Sequence, residues 1–201
     1  MCGSRCCASS PAPTPSCASP RSRCGSEGGE GAVRYVLDPP VTPALRDDLV
    51  RLWRAADGAD GPVEPGTPED TRAELIGYLR ALAEGRARLL AALDDEGHAV
   101  GTAFLFRNTH RLMRHWVWLY AVLLHPSVRG RGAGRGLLAA AEDAARGMAG
   151  VRGIRLTLRG GEGLERFYGL CGYREVGRVP SAIKAAEGDF RDDVTMWRPL
   201  H

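Results

Sequence analysis

The sequence predicts an α/β (α+β) fold, a mixed central sheet of six to seven strands with about four helices. Three observations carry this. Amphipathic stripes and short β-rich runs interleave from Val33 to Leu200 in the order β-α-α-β-β-β-α-β-α-β-β. In their midst, Trp116 to Leu138 reads as an apolar run, a stop at His125-Pro126, a basic Gly-rich loop and a helix. The chain has 201 residues, 44% hydrophobic and 25% charged, which suits one globular domain with a sizeable core, placed at residues 32–201.

Residues 1–31 hold no aliphatic side chain larger than alanine. Burial there cannot offset the entropy of ordering, so a disordered tail is expected. A sharper expectation is that this segment is not translated and that the true start is a non-AUG codon near Val33; the intact mass of natively expressed protein decides this. Five of the six cysteines lie in the first 24 residues, without paired C-x-x-C units or histidine partners, so no metal site is expected. No apolar run near the N-terminus is long enough for a signal peptide or a membrane span. A cytoplasmic protein with free thiols follows, with no membrane partner. The net charge of +3 and the scattered arginines give no nucleic-acid footprint.

Val33 to Leu37 alternates as a first strand, stopped by Asp38-Pro39-Pro40. Thr42 caps a helix with Pro43 in its first turn, and Leu45, Leu49, Leu52 and Trp53 form its apolar face. After a polar loop from Gly58 to Gly66, Thr67 opens a second helix with a stripe of Leu75, Ile76, Leu79 and Leu82, ended by Gly85. Arg88–Leu93 and Ala99–Phe106 flank a turn at Asp94–Gly97 as a hairpin. A turn at Asn108-Thr109 leads into a long strand through Trp116 to Leu124. Leu137, Leu138, Ala141, Ala145 and Met148 mark the third helix. Ile154–Leu158 is a strand, Leu164–Leu170 a short helix, and Tyr173–Val176 and Val194–Trp197 are the last strands, with Gly177–Asp193 between them as a loop.

Arg129-Gly130-Arg131-Gly132-Ala133-Gly134-Arg135-Gly136 strips side chains from a loop that runs into a helix N-terminus. Converging amides, the positive end of the helix and three arginines suit a pyrophosphate. The spacing is not that of a dinucleotide fingerprint, because the third glycine position counted from Gly130 and Gly132 falls on Arg135. It is not a P-loop either, since the only lysine is Lys184.

Arg129, Gly132 and Gly134, following a strand that ends in His-Pro, form R-x-x-G-x-G, closely similar to motif A of the GNAT acetyl-CoA-dependent N-acetyltransferases. Phe167-Tyr168, followed after three intervening residues by Gly172-Tyr173, resembles motif B of that family. The resemblance covers Val33 to Leu200 and implies the GNAT acyl-CoA N-acyltransferase fold. It implies acetyl-CoA as cosubstrate, with Val122, Leu123 and Leu124 against the pantetheine and Gly130 to Arg135 on the pyrophosphate. It also implies Tyr168 as the general acid for the departing thiolate, a phenol of pKa ~10 beside a thiol of ~8.5.

Two departures stand out. The family commonly has Asn where this chain has Gly161, and ribosomal-protein N-terminal acetyltransferases carry a Glu where it has Leu156. No acid lies on Trp116–Leu124, and Tyr120, sharing a face with Trp118, is either a pocket wall or the anchor of a water relay to the amine. Trp53, Asp57, Tyr78, Tyr120 and the run Glu187–Asp193 are candidates for the acceptor pocket. Asp192 and Asp193 could attract a cationic amine, although most exposed acids do nothing specific. Cys171 has no histidine neighbour in sequence and reads as structural. The expected function is acetyl transfer to a primary amine of a small molecule by direct attack on the thioester. A protein lysine or N-terminus as acceptor, and a CoA-binding module without catalysis, are the alternatives. The resemblance allows a homodimer, although no strand in the sequence demonstrates a pairing edge.

Overall fold

The computed structural model describes residues 32–56 and 68–200. The tail, the Gly58–Gly66 loop, the Thr67 cap and Asp57 lie outside the described residues. The elements are β1 (Arg34–Leu37), α1 (Pro43–Ala56), α2 (Pro68–Ala83), β2 (Ala87–Leu93), β3 (Ala99–Arg107), β4 (Val117–Leu124), α3 (Ala133–Arg146), β5 (Gly153–Arg159), α4 (Leu164–Leu170), β6 (Arg174–Ala186) and β7 (Asp189–Pro199). Their order is the predicted one. The strands form one seven-stranded sheet in the order β1-β2-β3-β4-β5-β7-β6. Every neighbouring pair is antiparallel except β4 with β5.

Each face of the sheet has its own core. On one, α3 lays Leu137, Leu138, Ala141 and Ala145 over Val117, Leu119, Ile154 and Leu156. On the other, α1 packs Leu45, Leu49, Leu52 and Trp53 against Leu89, Phe104 and Leu123, with Leu75 of α2 beside them. The Thr42 hydroxyl accepts the Leu45 amide at 3.1 Å and caps α1 as its position predicts. Asp48 on α1, 5% exposed, accepts the Ala99 amide at 2.9 Å and so ties the helix to the first residue of β3. Glu142 on α3, 7% exposed, takes both Nε and Nη2 of Arg198 on β7 at 3.0 Å. Replacing Glu142 with alanine removes the carboxylate that Arg198 faces and is expected to destabilise the fold by about 2 kcal/mol in chemical denaturation, an estimate reduced because the Arg198 side chain is 29% exposed.

Three elements differ from their sequence-based expectation. Ile76 is 50% exposed, because α2 rests on the sheet through Leu75 and turns the next position outward. The long strand begins at Val117 rather than before Trp116, since His110 caps a 3-10 turn at Arg111–Met113 by accepting the Leu112 amide. The stretch Gly177–Asp193 is no loop but most of a long β6–β7 hairpin. β6 is one of the sheet's two edge strands, which is where Pro180 is tolerated; Ser181 has φ 53° and the register shifts between Val179 and Ile183.

Two irregularities in β4 open the sheet. The strand pairs with β5 only at Val117–Ile154 and Trp118–Arg155, and from Leu119 onward the two part. On its other edge the register with β3 slips between Thr102 and Phe104, Ala121 adopts φ 47°, and the fully buried Thr102 hydroxyl donates to the Ala121 carbonyl at 3.0 Å. That bulge bends β4 away from β5. Among the described residues no helix is long and apolar enough to cross a membrane.

Candidate active site

A cavity of about 780 Å³ occupies the gap between the parted strands. One wall is β4 from Leu119 to Leu124 and the other is β5 from Leu156 to Arg159. Leu164, Phe167 and Tyr168 of α4 close one side, and Trp53, Glu74 and Tyr78 of α1 and α2 stand on the other. Arg129, Gly130, Gly132, Gly134, Arg135 and Glu162 complete the lining.

The Gly-rich loop is built from two kinds of glycine. Gly130 and Gly132 have φ of 75° and 85° with open space where a Cβ would lie, so backbone conformation requires them. At Gly134 a Cβ would come within 3.0 Å of the Phe167 ring and 3.3 Å of Leu124, and at Gly136 it would run into the Tyr35 ring. These two let α3 approach α4 and β1. The Tyr35 hydroxyl fixes that approach by donating to the Ala133 carbonyl at 2.9 Å. Gly132 is the N-cap of α3 and no side chain caps the helix, so its first-turn amides retain their capacity for an anion. Arg129 is held close by its Nε donating to the Leu124 carbonyl at 3.0 Å.

Of the residues singled out in the sequence, Tyr120, Val122, Leu123, Leu124, Arg129, Gly130, Gly132, Gly134, Arg135 and Tyr168 all line this one cavity. Arg131 and Ala133 do not; Arg131 is exposed and Ala133 is buried beneath the loop. Tyr168 is 7% exposed, with its ring edge-on to Phe167 at 5.3 Å and to Tyr173 at 5.5 Å. Burial raises its pKa well above the ordinary 10.0, with the Cys171 thiol adding to the shift. Tyr120 stacks on Trp118 at 5.5 Å on the shared face the sequence predicts. Burial raises its pKa too, opposed by the positive charge of Arg155.

The departures have structural counterparts. Leu156 is buried and lines the cavity. Gly161, at φ 87°, lies outside the lining; its amide donates to Glu165 at 2.9 Å and holds that carboxyl below its ordinary pKa. The Glu187–Asp193 run contributes nothing to the lining. Asp192 is engaged by Arg178 at 2.8 Å and by the Ser181 amide at 3.1 Å. Cys171 is a free thiol on the C-cap of α4, its pKa raised first by burial.

Sequence reasoning missed the acids of the cavity. Glu162 lies 3.4 Å from Arg159 Nε at the end of β5. Glu74 on α2 lies one helical turn before Tyr78, whose pKa is raised chiefly by burial and then by the Glu74 charge. The signal available was the spacing of Glu74 and Tyr78, one helical turn apart. Among the described residues no group of three or more His, Cys, Asp or Glu is placed to hold a metal.

The sequence matches the model of the acetyltransferase (GNAT) family over residues 44–173. No curated protein matches it. Among solved structures it resembles a phosphinothricin acetyltransferase from Sinorhizobium meliloti in complex with acetyl-CoA, at 20% identity over 83% of this chain and 88% of that one, TM-score 0.65. A spermidine N-acetyltransferase from Vibrio cholerae, in complex with CoA and spermine, aligns at 18% identity over 83% and 95% of the two chains, TM-score 0.63. A ribosomal-protein-alanine N-acetyltransferase from Brucella melitensis aligns at 22% identity over 84% and 99%, TM-score 0.67.

Proposed function

Because the chain belongs to the GNAT acetyltransferase family, we propose that it transfers the acetyl group of acetyl-CoA to a primary amine of a small molecule, without an acyl-enzyme. The observation that carries this is a single cavity joining the uncapped N-terminus of α3 to a buried tyrosine between two parted strands. The donor supplies an activated thioester. The α3 amides with Arg129 and Arg135 match its pyrophosphate in charge. The β4 backbone from Val122 to Leu124, freed from β5, offers hydrogen bonds to its amide-bearing arm.

In the reaction the amine nitrogen bonds to the thioester carbonyl carbon, the carbon–sulfur bond breaks, and one proton passes in balance from nitrogen to sulfur. Tyr168 stays protonated because its pKa is raised, so its hydroxyl can donate to the sulfur as negative charge develops there. Tyr120, at the other wall, orients the incoming amine or a water that takes its proton.

Direct transfer predicts that Cys171→Ala retains most of the parent turnover when free CoA thiol is followed in the presence of an amine. Burial keeps that thiol protonated and a poor nucleophile. An inactive Cys171→Ala enzyme that still binds CoA would instead require an acyl-enzyme.

A further inference from the structure

The two ends of the cavity carry opposite chemistry. Arg129, Arg135 and the start of α3 make one end cationic. At the other, the half-buried Tyr78 and Tyr120 present aromatic surface, backed by the fully buried Trp53, and the exposed Glu74 brings a carboxylate to it. The wall is held by its packing. The Tyr78 ring meets Trp53 edge-on at 5.8 Å, Phe104 at 4.8 Å and Phe106 at 5.4 Å, and Phe106 meets Tyr120 at 5.5 Å. Glu74 stands one helical turn before Tyr78, close enough for its charge to help raise the pKa of that phenol. The cavity's other carboxylate, Glu162, faces Arg159. The neighbouring cation, Arg155, lies outside the lining, its guanidinium 4.5 Å from the Trp118 ring centroid.

A carboxylate beside aromatic faces recognises an ammonium group carried on an apolar body. We propose that Glu74 is the specificity-determining residue for the acceptor, and that the acceptor is an arylalkylamine: a primary ammonium one short chain away from a ring. The ammonium docks on Glu74 and the ring packs against Tyr78 and Tyr120. The amine then sheds its proton before attack. This rests on the acetyl-CoA-dependent reading above.

The test compares two acceptors of similar shape, 2-phenylethylamine, cationic at neutral pH, and phenylacetohydrazide, a neutral nitrogen nucleophile. In Glu74→Gln the side chain keeps its size and shape but the charge is gone. The ratio of kcat/KM for the amine to that for the hydrazide should fall roughly 10- to 100-fold, with the change mainly in KM, and Glu74→Asp should recover part of the preference. An unchanged ratio in Glu74→Gln overturns the role of Glu74. A parent enzyme that binds acetyl-CoA but acetylates neither probe overturns the acceptor class and leaves the acetyl-CoA-dependent reading standing. A parent that fails to bind acetyl-CoA removes both.

Discussion

Tyr168→Phe is expected to lower kcat by about 100-fold or more with acetyl-CoA affinity nearly unchanged, because it deletes a proton donor and keeps the ring. That ring is buried against Phe167 and Tyr173, so the phenylalanine can occupy the same space. The pH profile of the parent carries a second signature. Tyr168 acts in its protonated form, and burial moves the loss of that proton above the ordinary 10.0. kcat/KM should therefore rise with pH as the amine loses its own proton, with no decline due to Tyr168 below about pH 10. An alkaline decline near pH 8, or a Tyr168→Phe enzyme of near-parental kcat, would assign proton donation to another group.

The second large effect is expected at Gly134. A glutamate there sets a Cβ 3.0 Å from the Phe167 ring and 3.3 Å from Leu124, and adds negative charge to the first turn of α3. Both changes oppose an anion in the loop, so Gly134→Glu should reduce acetyl-CoA affinity by roughly 100-fold or more, at the upper end of what charge-assisted contacts contribute. Displaced Phe167 would also disturb its neighbour Tyr168, so this variant alone mixes packing with charge. Arg135→Glu separates them. Arg135 is exposed and lines the cavity, and its reversal changes the potential at the loop while leaving the glycine contacts alone.

The loop and α4 were legible because their composition is unusual over short spans. Alternating Gly and Arg after His125-Pro126, and Phe167-Tyr168 followed by Gly172-Tyr173, need no tertiary information to be noticed. α1 was legible because Leu45, Leu49, Leu52 and Trp53 obey one helical period and one face of the sheet receives them all. β6 was not, since an edge strand exposed on both faces leaves no alternation to read, and Gly177 and Pro180 suggest a loop. The bulge at Ala121 is set by the Thr102 hydroxyl across the sheet, a contact with no trace in the local sequence of β4. Glu74 was missed for a similar reason. Its chemistry depends on α2 being folded over the end of β4, and along the helix it looks like any solvated acid.

Calorimetric titration of acetyl-CoA into the parent protein, beside the same titration into Arg135→Glu, tests the central claim most directly. The account predicts saturable, one-to-one binding by the parent and an affinity weakened roughly 10- to 100-fold by the charge reversal, with the difference shrinking as salt is raised. An absence of binding to the parent, or equal affinities for the two proteins, would contradict an acetyl-CoA site built on the α3 loop.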